Sequence, residues 1–319
     1  MFGYSPAFCY LCSINHSETF MTQNLQAQGT YTALITRQTP TAFIFLIDQS
    51  GSMSDTTQYN GKTMSKAEAV ARIVNHQLGE LVMRCVKGDE TRDYYDIAVI
   101  GYGDDARSAW QGELAGRDFV RPSELQDHPY RTITTRQETH TPKGTRVVET
   151  EEEQWVEASS NGGCTYVEHA LRKARELLEG WIGAHGGDYC YPPTVINITD
   201  GMFNGAPEEE VKGLAEELMR MTTQDGNVIL FNIHITADKD AQEVFCPADR
   251  QEVEGDDLAA TLYDMSSLLP ERYSEGIADC RGEAPSGKRY VAMSAKVGME
   301  RLAQLMDIGT PTNISQSNP

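Results

Sequence analysis

The feature that most constrains this chain is a set of short, continuously apolar runs separated by helix-like stretches. Residues 42–48 read Ala-Phe-Ile-Phe-Leu-Ile-Asp, residues 96–102 Asp-Ile-Ala-Val-Ile-Gly-Tyr, and residues 194–200 Thr-Val-Ile-Asn-Ile-Thr-Asp. A fourth run covers 227–235. Strands apolar on both sides have no solvent face, which is the mark of a parallel sheet buried between helical layers. The intervening segments have the matching period. Over 65–86, Ala67, Val70, Val74, Leu78, Leu81 and Val82 recur at helical spacing, with Ser65 and Glu68 in a capping-box pattern and Gly88 beyond the end. From Thr165 to Trp181, Val167, Leu171, Ala174, Leu178 and Trp181 share a face, and Thr165 with Glu168 repeats the capping pattern. Further helices are predicted over about 207–222, where Glu208, Glu209 and Glu210 suit the positive end of the dipole, and over 257–268 and 298–307. Weaker strand signals cover 109–115 and 288–294. The alternation predicts an α/β class fold with a doubly wound, mostly parallel sheet.

Two segments interrupt that rhythm. Residues 130–157 alternate Thr, Val, Arg and Glu around Thr141-Pro142-Lys143-Gly144 and predict an inserted, exposed β-hairpin. Residues 237–256 read as a long polar loop. Residues 1–30 show no period and are expected to be a flexible lead-in, with Met21 an alternative start; residues 31–308 form the expected domain and 309–319 a tail. The 39% hydrophobic content is enough for one sizeable core. The net charge of −20 argues against nucleic-acid partners, because such a surface repels phosphate backbones, and it suits a protein that handles cations. Seven cysteines, odd in number and scattered, argue against a disulfide framework and for a reducing compartment. The first basic residue is Arg37, so a secretory signal is not expected, and no segment approaches the ~20 apolar residues of a membrane span. The expected setting is cytoplasmic, without a membrane partner.

The chemistry lies where the runs end. After the first run the chain reads Asp48-Gln49-Ser50-Gly51-Ser52-Met53. Asp, Ser and Ser at alternate positions of a turning loop can aim three oxygen groups at one point, and Gly51 lets the backbone turn. Oxygen donors of this kind suit a hard divalent cation. Taken alone, the pattern serves equally well as an ordinary turn after a strand. Asp200 ends another run, and ligand sites in open α/β sheets lie beyond the carboxyl ends of the strands.

Asp48-x-Ser50-x-Ser52 resembles the metal-ion-dependent adhesion site (MIDAS) of von Willebrand factor A (vWA) and integrin I domains. The family adds a Thr opening a later helix, matched here by Gly163-Cys164-Thr165. It also adds an Asp ending a later strand, matched by Thr199-Asp200-Gly201. The resemblance covers about residues 40–307 and extends to cytosolic bacterial vWA proteins of the tellurium-resistance TerY type. It implies a Rossmann-like vWA fold in which Ser50, Ser52 and Thr165 contact a divalent cation by hydroxyl, while Asp48 and Asp200 hold it directly or through water. Mg²⁺ is the first choice, with Mn²⁺ or Ca²⁺ as alternatives.

Other patterns are weighed and set aside. Gly101-Tyr102-Gly103-Asp104-Asp105-Ala106 matches a dinucleotide fingerprint, but two acids would repel a pyrophosphate, and the segment is expected to be a strand end turning near the metal loop. Cys9 and Cys12 with His16 lack the second pair that a structural zinc needs. Cys164 has His169 one turn away, yet a small packed cysteine is the expected role. Asn197-Ile198-Thr199 is a glycosylation sequon inside an expected buried strand. The resulting expectation is a non-enzymatic, metal-dependent protein-binding adaptor of a bacterial stress, defence or signalling system. Its partner would supply an acidic side chain to the metal and would be a protein such as a kinase, phosphatase or AAA+ ATPase. The alternative is a Mg²⁺-dependent hydrolase of a phosphorylated substrate.

Overall fold

The computed structural model describes residues 29–310, apart from 142, 143, 162, 186, 202 and 285. The lead-in up to residue 28, with Cys9, Cys12 and His16, and the tail from residue 311 lie outside the described residues. In chain order the strands are β1 (Thr41–Asp48), β2 (Thr56–Tyr59), β3 (Lys62–Ser65), β4 (Val86–Lys87), β5 (Glu90–Thr91), β6 (Tyr95–Tyr102) and β7 (Ala106–Ser108). They continue with β8 (Arg131–Thr141), β9 (Gly144–Gln154), β10 (Thr194–Thr199), β11 (Ile229–Ile235), β12 (Val244–Phe245) and β13 (Met293–Val297). The helices are α1 (Lys66–Cys85), α2 (Pro122–Asp127), α3 (Val167–His185), α4 (Glu208–Arg220), α5 (Asp257–Asp264), α6 (Ser274–Arg281) and α7 (Met299–Gly309).

Seven strands form one sheet in the order β12-β13-β11-β10-β1-β6-β7. Pairing is parallel from β13 through β6, and only the short edge strands β12 and β7 run antiparallel. The apolar runs are buried on both sides, as their composition requires. Phe43, Phe45 and Ile47 of β1 pack with Val70 and Val74 of α1 and Leu302 of α7. Ile44 and Leu46 pack the other way, with Val167 and Leu171 of α3 and Val211 and Leu218 of α4. Each such fully buried side chain stabilises the fold by roughly 1.5–3 kcal/mol. The sheet is therefore doubly wound. Strand order reverses at β1, whose neighbours are β6 on one side and β10 on the other, so the crevice at the carboxyl ends of β1 and β10 is the switch point. None of the described helices is long and apolar enough to cross a membrane.

The hairpin is present as expected: β8 and β9 pair antiparallel from Arg131↔Gln154 to Thr141↔Gly144, inserted between β7 and α3. Its root is fixed by the buried Asn75 of α1. The Asn75 carboxamide oxygen accepts the Trp155 amide at 2.8 Å and the Val156 amide at 3.1 Å, and its Nδ2 donates to the Val156 carbonyl at 2.9 Å.

Several boundaries differ from the sequence reading. The edge strand expected over 109–115 pairs earlier, as β7, and the chain turns away at Gly112, which adopts a φ of 62°. The strand expected over 288–294 lies at Met293–Val297. Before it, Tyr290 and Ala292 also bond to the 267–269 loop, with Leu269 N donating to Tyr290 O at 2.8 Å and Ala292 N to Ser267 O at 2.8 Å, while Val291 N donates to Pro247 O at 2.9 Å. The loop expected over 237–256 contains β12 and a short 3-10 turn at Arg250–Val253, and α5 stops at Asp264 rather than 268.

Candidate metal centre

Asp48 is the last residue of β1 and is fully buried. The chain then turns through a 3-10 segment, Gly51–Ser54, before Asp55 leads into β2. One oxygen of Asp48, Oδ1, accepts the Ser50 amide at 2.8 Å, so the loop closes on the strand end. The other, Oδ2, accepts the Thr199 hydroxyl from the neighbouring β10 at 2.7 Å. Burial pushes the Asp48 carboxyl above its ordinary range, against the hydrogen bonds from Ser50 and Thr199 that oppose the shift. A buried carboxylate compensated only by neutral dipoles is a place where a cation is favoured.

Ser50 Oγ lies 3.1 Å from Ser52 Oγ, and Ser52 Oγ donates to Asp200 Oδ1 at 2.6 Å. Ser50 is buried and Ser52 exposed, so the cluster opens to solvent on the Ser52 side. Thr165 joins from the third loop. A Cβ built on Gly201 would stand 3.6 Å from Thr165 Oγ1 and 4.0 Å from Ser52 Oγ, so Gly201 leaves a small space between these hydroxyls. All five residues singled out from the sequence, Asp48, Ser50, Ser52, Thr165 and Asp200, are thus brought to one place at the switch point. The donor set is two carboxylates and three hydroxyls, with no sulfur or nitrogen, which fits a hard divalent cation.

Thr165 does not cap α3 in the manner the sequence suggested. The helix begins at Val167, and Glu168 turns elsewhere, its Oε1 accepting the Ala206 amide at 3.0 Å. The Thr165 carbonyl accepts the Asn204 amide at 3.1 Å. The loop after Asp200 is therefore seated on the start of α3 by two contacts. Asp104 has a similar part in the next loop. Its Oδ1 accepts the Cys164 amide at 3.0 Å, while Gly51 N donates to Gly163 O at 3.2 Å and Asn161 N to Gln49 O at 2.9 Å. The segment 101–106 is the expected strand end near the metal loop: β6 stops at Tyr102, whose carbonyl accepts the Gln49 amide at 2.7 Å, and the chain runs directly into β7. Cys164 is exposed rather than packed.

Three features were not legible from the motif. The first is Lys66, treated below. The second is a buried chain of amides under the site. Tyr102 OH donates to Asn197 Oδ1 at 2.8 Å, Asn197 Nδ2 to Asn232 Oδ1 at 3.0 Å, and Asn232 Nδ2 to the Met265 carbonyl at 2.9 Å. Asn197 and Asn232, paired in register within two apolar runs, were its available signal. It also places the sequon residue Asn197 in the sheet interior. The third is His234 near the end of β11, whose Nδ1 accepts the Lys296 amide at 3.2 Å; burial pushes its imidazole down, and the neighbouring Asp200 opposes that.

No protein-family model matches the chain, and no curated protein matches it in sequence. Among solved structures it is similar to proximal thread matrix protein 1 from the mussel byssus, at 17% identity over 85% of this chain and 47% of that one, with a TM-score of 0.40. A second structure of that protein has a zinc-occupied MIDAS motif, with 17% identity, the same coverage and a TM-score of 0.38. The chain is also similar to a von Willebrand factor type A protein from Catenulispora acidiphila, at 13% identity over 63% of this chain and 34% of that one, with a TM-score of 0.34. The chain spans less than half the length of these structures. At such scores the fold stands on its own strand order and the site on its own geometry.

Proposed function

We propose that this chain is a metal-dependent protein-binding module of the vWA type, acting as an adaptor. The observation that supports it most is the convergence of Asp48, Ser50, Ser52, Thr165 and Asp200 at one switch-point crevice, with Ser52 at its open side. Ser50, Ser52 and Thr165 would hold the cation by hydroxyl, and Asp48 and Asp200 directly or through water. Mg²⁺ is the cation proposed, with Mn²⁺ or Ca²⁺ as alternatives. When bound, the cation supplies an electrophilic point for a carboxylate from a protein partner. The chain's own residues position that point. Asp48 and Thr199 tie β1 to β10, Asp104 and Asn161 steady the loop before Thr165, and Glu168 seats the loop after Asp200. Because the three loops hydrogen-bond to one another, displacing one is felt by the others, which suits a two-state response to a partner.

The described cysteines, Cys85, Cys164, Cys190, Cys246 and Cys280, are free, which supports placing the adaptor in a reducing, cytoplasmic setting. A role in bacterial stress, defence or signalling, beside a kinase, phosphatase or AAA+ ATPase, completes the proposal, and no enzymatic activity is assigned. Titration calorimetry with Mg²⁺ alone, after stripping with chelator, tests it. Wild type should bind one equivalent, and Asp48→Ala should bind about 10–100-fold more weakly. Equal affinity in the two proteins would refute the site.

A further inference from the structure

Lys66 is the first residue of α1, directly after the Ser65 cap. A cation there faces the positive end of the helix dipole, an unfavourable place unless something compensates it. The residue is also buried, at 8% exposure. Compensation comes from two acids of unequal surroundings. Lys66 Nζ lies 2.8 Å from Oδ2 of Asp200, whose side chain is wholly buried, and 3.4 Å from Oδ2 of Asp55, whose side chain is 66% exposed. The Lys66 amide also donates to the Asp55 carbonyl at 2.8 Å, so the helix start and the end of the Ser50–Ser52 loop are one unit.

We infer that Lys66 is a resident cation that competes with the divalent metal for Asp200 and thereby sets the metal affinity of the centre. The inference rests on the metal-site reading above. Two carboxylates and one ammonium leave the centre with a net charge near −1 rather than −2, so a divalent ion gains less on binding and keeps more of its pull on a partner's carboxylate. Asp55 gives the ammonium a second acceptor within reach when Asp200 is engaged. Without Lys66, Asp200 is a buried, uncompensated acid, and breaking a buried pair by removing one partner is strongly destabilising. The metal then becomes the only full positive charge available to it. Lys66 thus positions and tunes a ligand and is not itself a ligand.

The test compares wild type, Lys66→Met, Lys66→Arg and Asp48→Ala at one pH, with Mg²⁺ as the probe, by calorimetry and by thermal unfolding with and without the ion. Lys66→Met should bind Mg²⁺ at least about tenfold more tightly than wild type, because a nearby like charge has been removed. Its unfolding temperature should fall in chelator and recover with Mg²⁺ by more than that of wild type. Lys66→Arg, which keeps the charge, should stay close to wild type. Where Lys66→Met does not fold without Mg²⁺ but folds with it, the inference stands. A second measurement needs no variant at Lys66. The ¹³Cε resonance of Lys66 should move when Mg²⁺ is added to wild type and should need about 10–100-fold more Mg²⁺ to move in Asp48→Ala. Tighter binding absent in Lys66→Met, or an unmoved Lys66 resonance while wild type binds Mg²⁺, overturns the inference alone. Failure of wild type to bind, or equal binding by Asp48→Ala, overturns the metal site itself.

Discussion

Asp225 offers a severe test of how the described amino-terminal segment is held. It is fully buried just before β11, at the end of the sheet opposite the metal centre. Its Oδ1 accepts the Thr32 amide at 3.0 Å and the Tyr189 hydroxyl at 2.8 Å, and its Oδ2 accepts the Ala33 amide at 2.9 Å. Thr30 Oγ1 donates to the same carboxylate. Asp225→Ala removes these bonds and leaves the buried Ala33 amide unpaired. A hydrogen bond to a charged group contributes about 1.5–3 kcal/mol, and an unsatisfied buried donor costs about 1–3 kcal/mol. Bonds sharing one carboxylate are not additive, so the loss should be roughly 3–5 kcal/mol. For a chain of this size that is about 4–8 °C in unfolding temperature. Burial raises the Asp225 carboxyl, but its hydrogen bonds outweigh burial and hold it below the ordinary carboxylate range. An acid lowered on folding contributes stability that is present above its unfolded pKa and lost as pH falls through the folded value. The shape-conserving Asp225→Asn should therefore differ from wild type by a constant amount from pH 7 to about 5. The difference should narrow below about pH 4, where the unfolded chain takes up the proton and the folded carboxyl still resists it. Urea unfolding followed by circular dichroism across that range measures it. An Asp225→Ala midpoint equal to wild type at pH 7, or a wild type–Asn difference unchanged by acid, would refute the reasoning. Mg²⁺ affinity should be untouched in both variants, because the site lies at the other end of the strands.

Two further outcomes follow from the same geometry. Gly201→Ala places a methyl group between the Thr165 and Ser52 hydroxyls, where it makes ordinary van der Waals contact. Calorimetry should show Mg²⁺ binding weakened about tenfold, while urea unfolding changes by less than about 1 kcal/mol. Asn75→Ala strands the Trp155 and Val156 amides at the hairpin root and should cost about 2–4 kcal/mol in urea unfolding, with Mg²⁺ affinity unchanged.

The parallel sheet was legible because strands buried on both sides leave no choice of face. Phe43 and Ile44 both had to be apolar, and both are buried. Asp48 and Asp200 stood out for a related reason: they are charges at the ends of apolar runs, where only a crevice can accommodate them, while Ser50, Ser52 and Thr165 were singled out by the resemblance to the vWA metal site. Less was legible wherever pairing is decided by tertiary contact. The run Tyr290–Met293 looks like a strand, yet the Tyr290 carbonyl and the Ala292 amide bond to the 267–269 loop. Glu168 stands at a capping spacing, yet the loop after Asp200 offers it the Ala206 amide. Both are local signals overruled by a partner distant in sequence. Lys66 left a trace that local rules could have flagged, a cation one residue inside a helix start, but its partner is 134 residues away.

The two acids of the centre are compensated differently, and that difference organises the site. Asp48 is held by an amide and a hydroxyl, dipoles that fix its orientation without cancelling its charge. Asp200 is held by a hydroxyl and by a full ammonium charge. Of the two, Asp48 is thus the acid whose burial is less compensated, and its carboxyl is pushed above its ordinary range accordingly. Asp200 is the acid already paired, through Lys66, to the amino terminus of α1. A cation entering the crevice meets one carboxylate that lacks a counter-charge and another that must exchange one. The exchange at Asp200 connects the centre to α1 and, through Asp55, to the exposed rim of the Ser50–Ser52 loop. The same ligand set without Lys66 would gain its charge balance from the metal alone and would have no such connection to a helix.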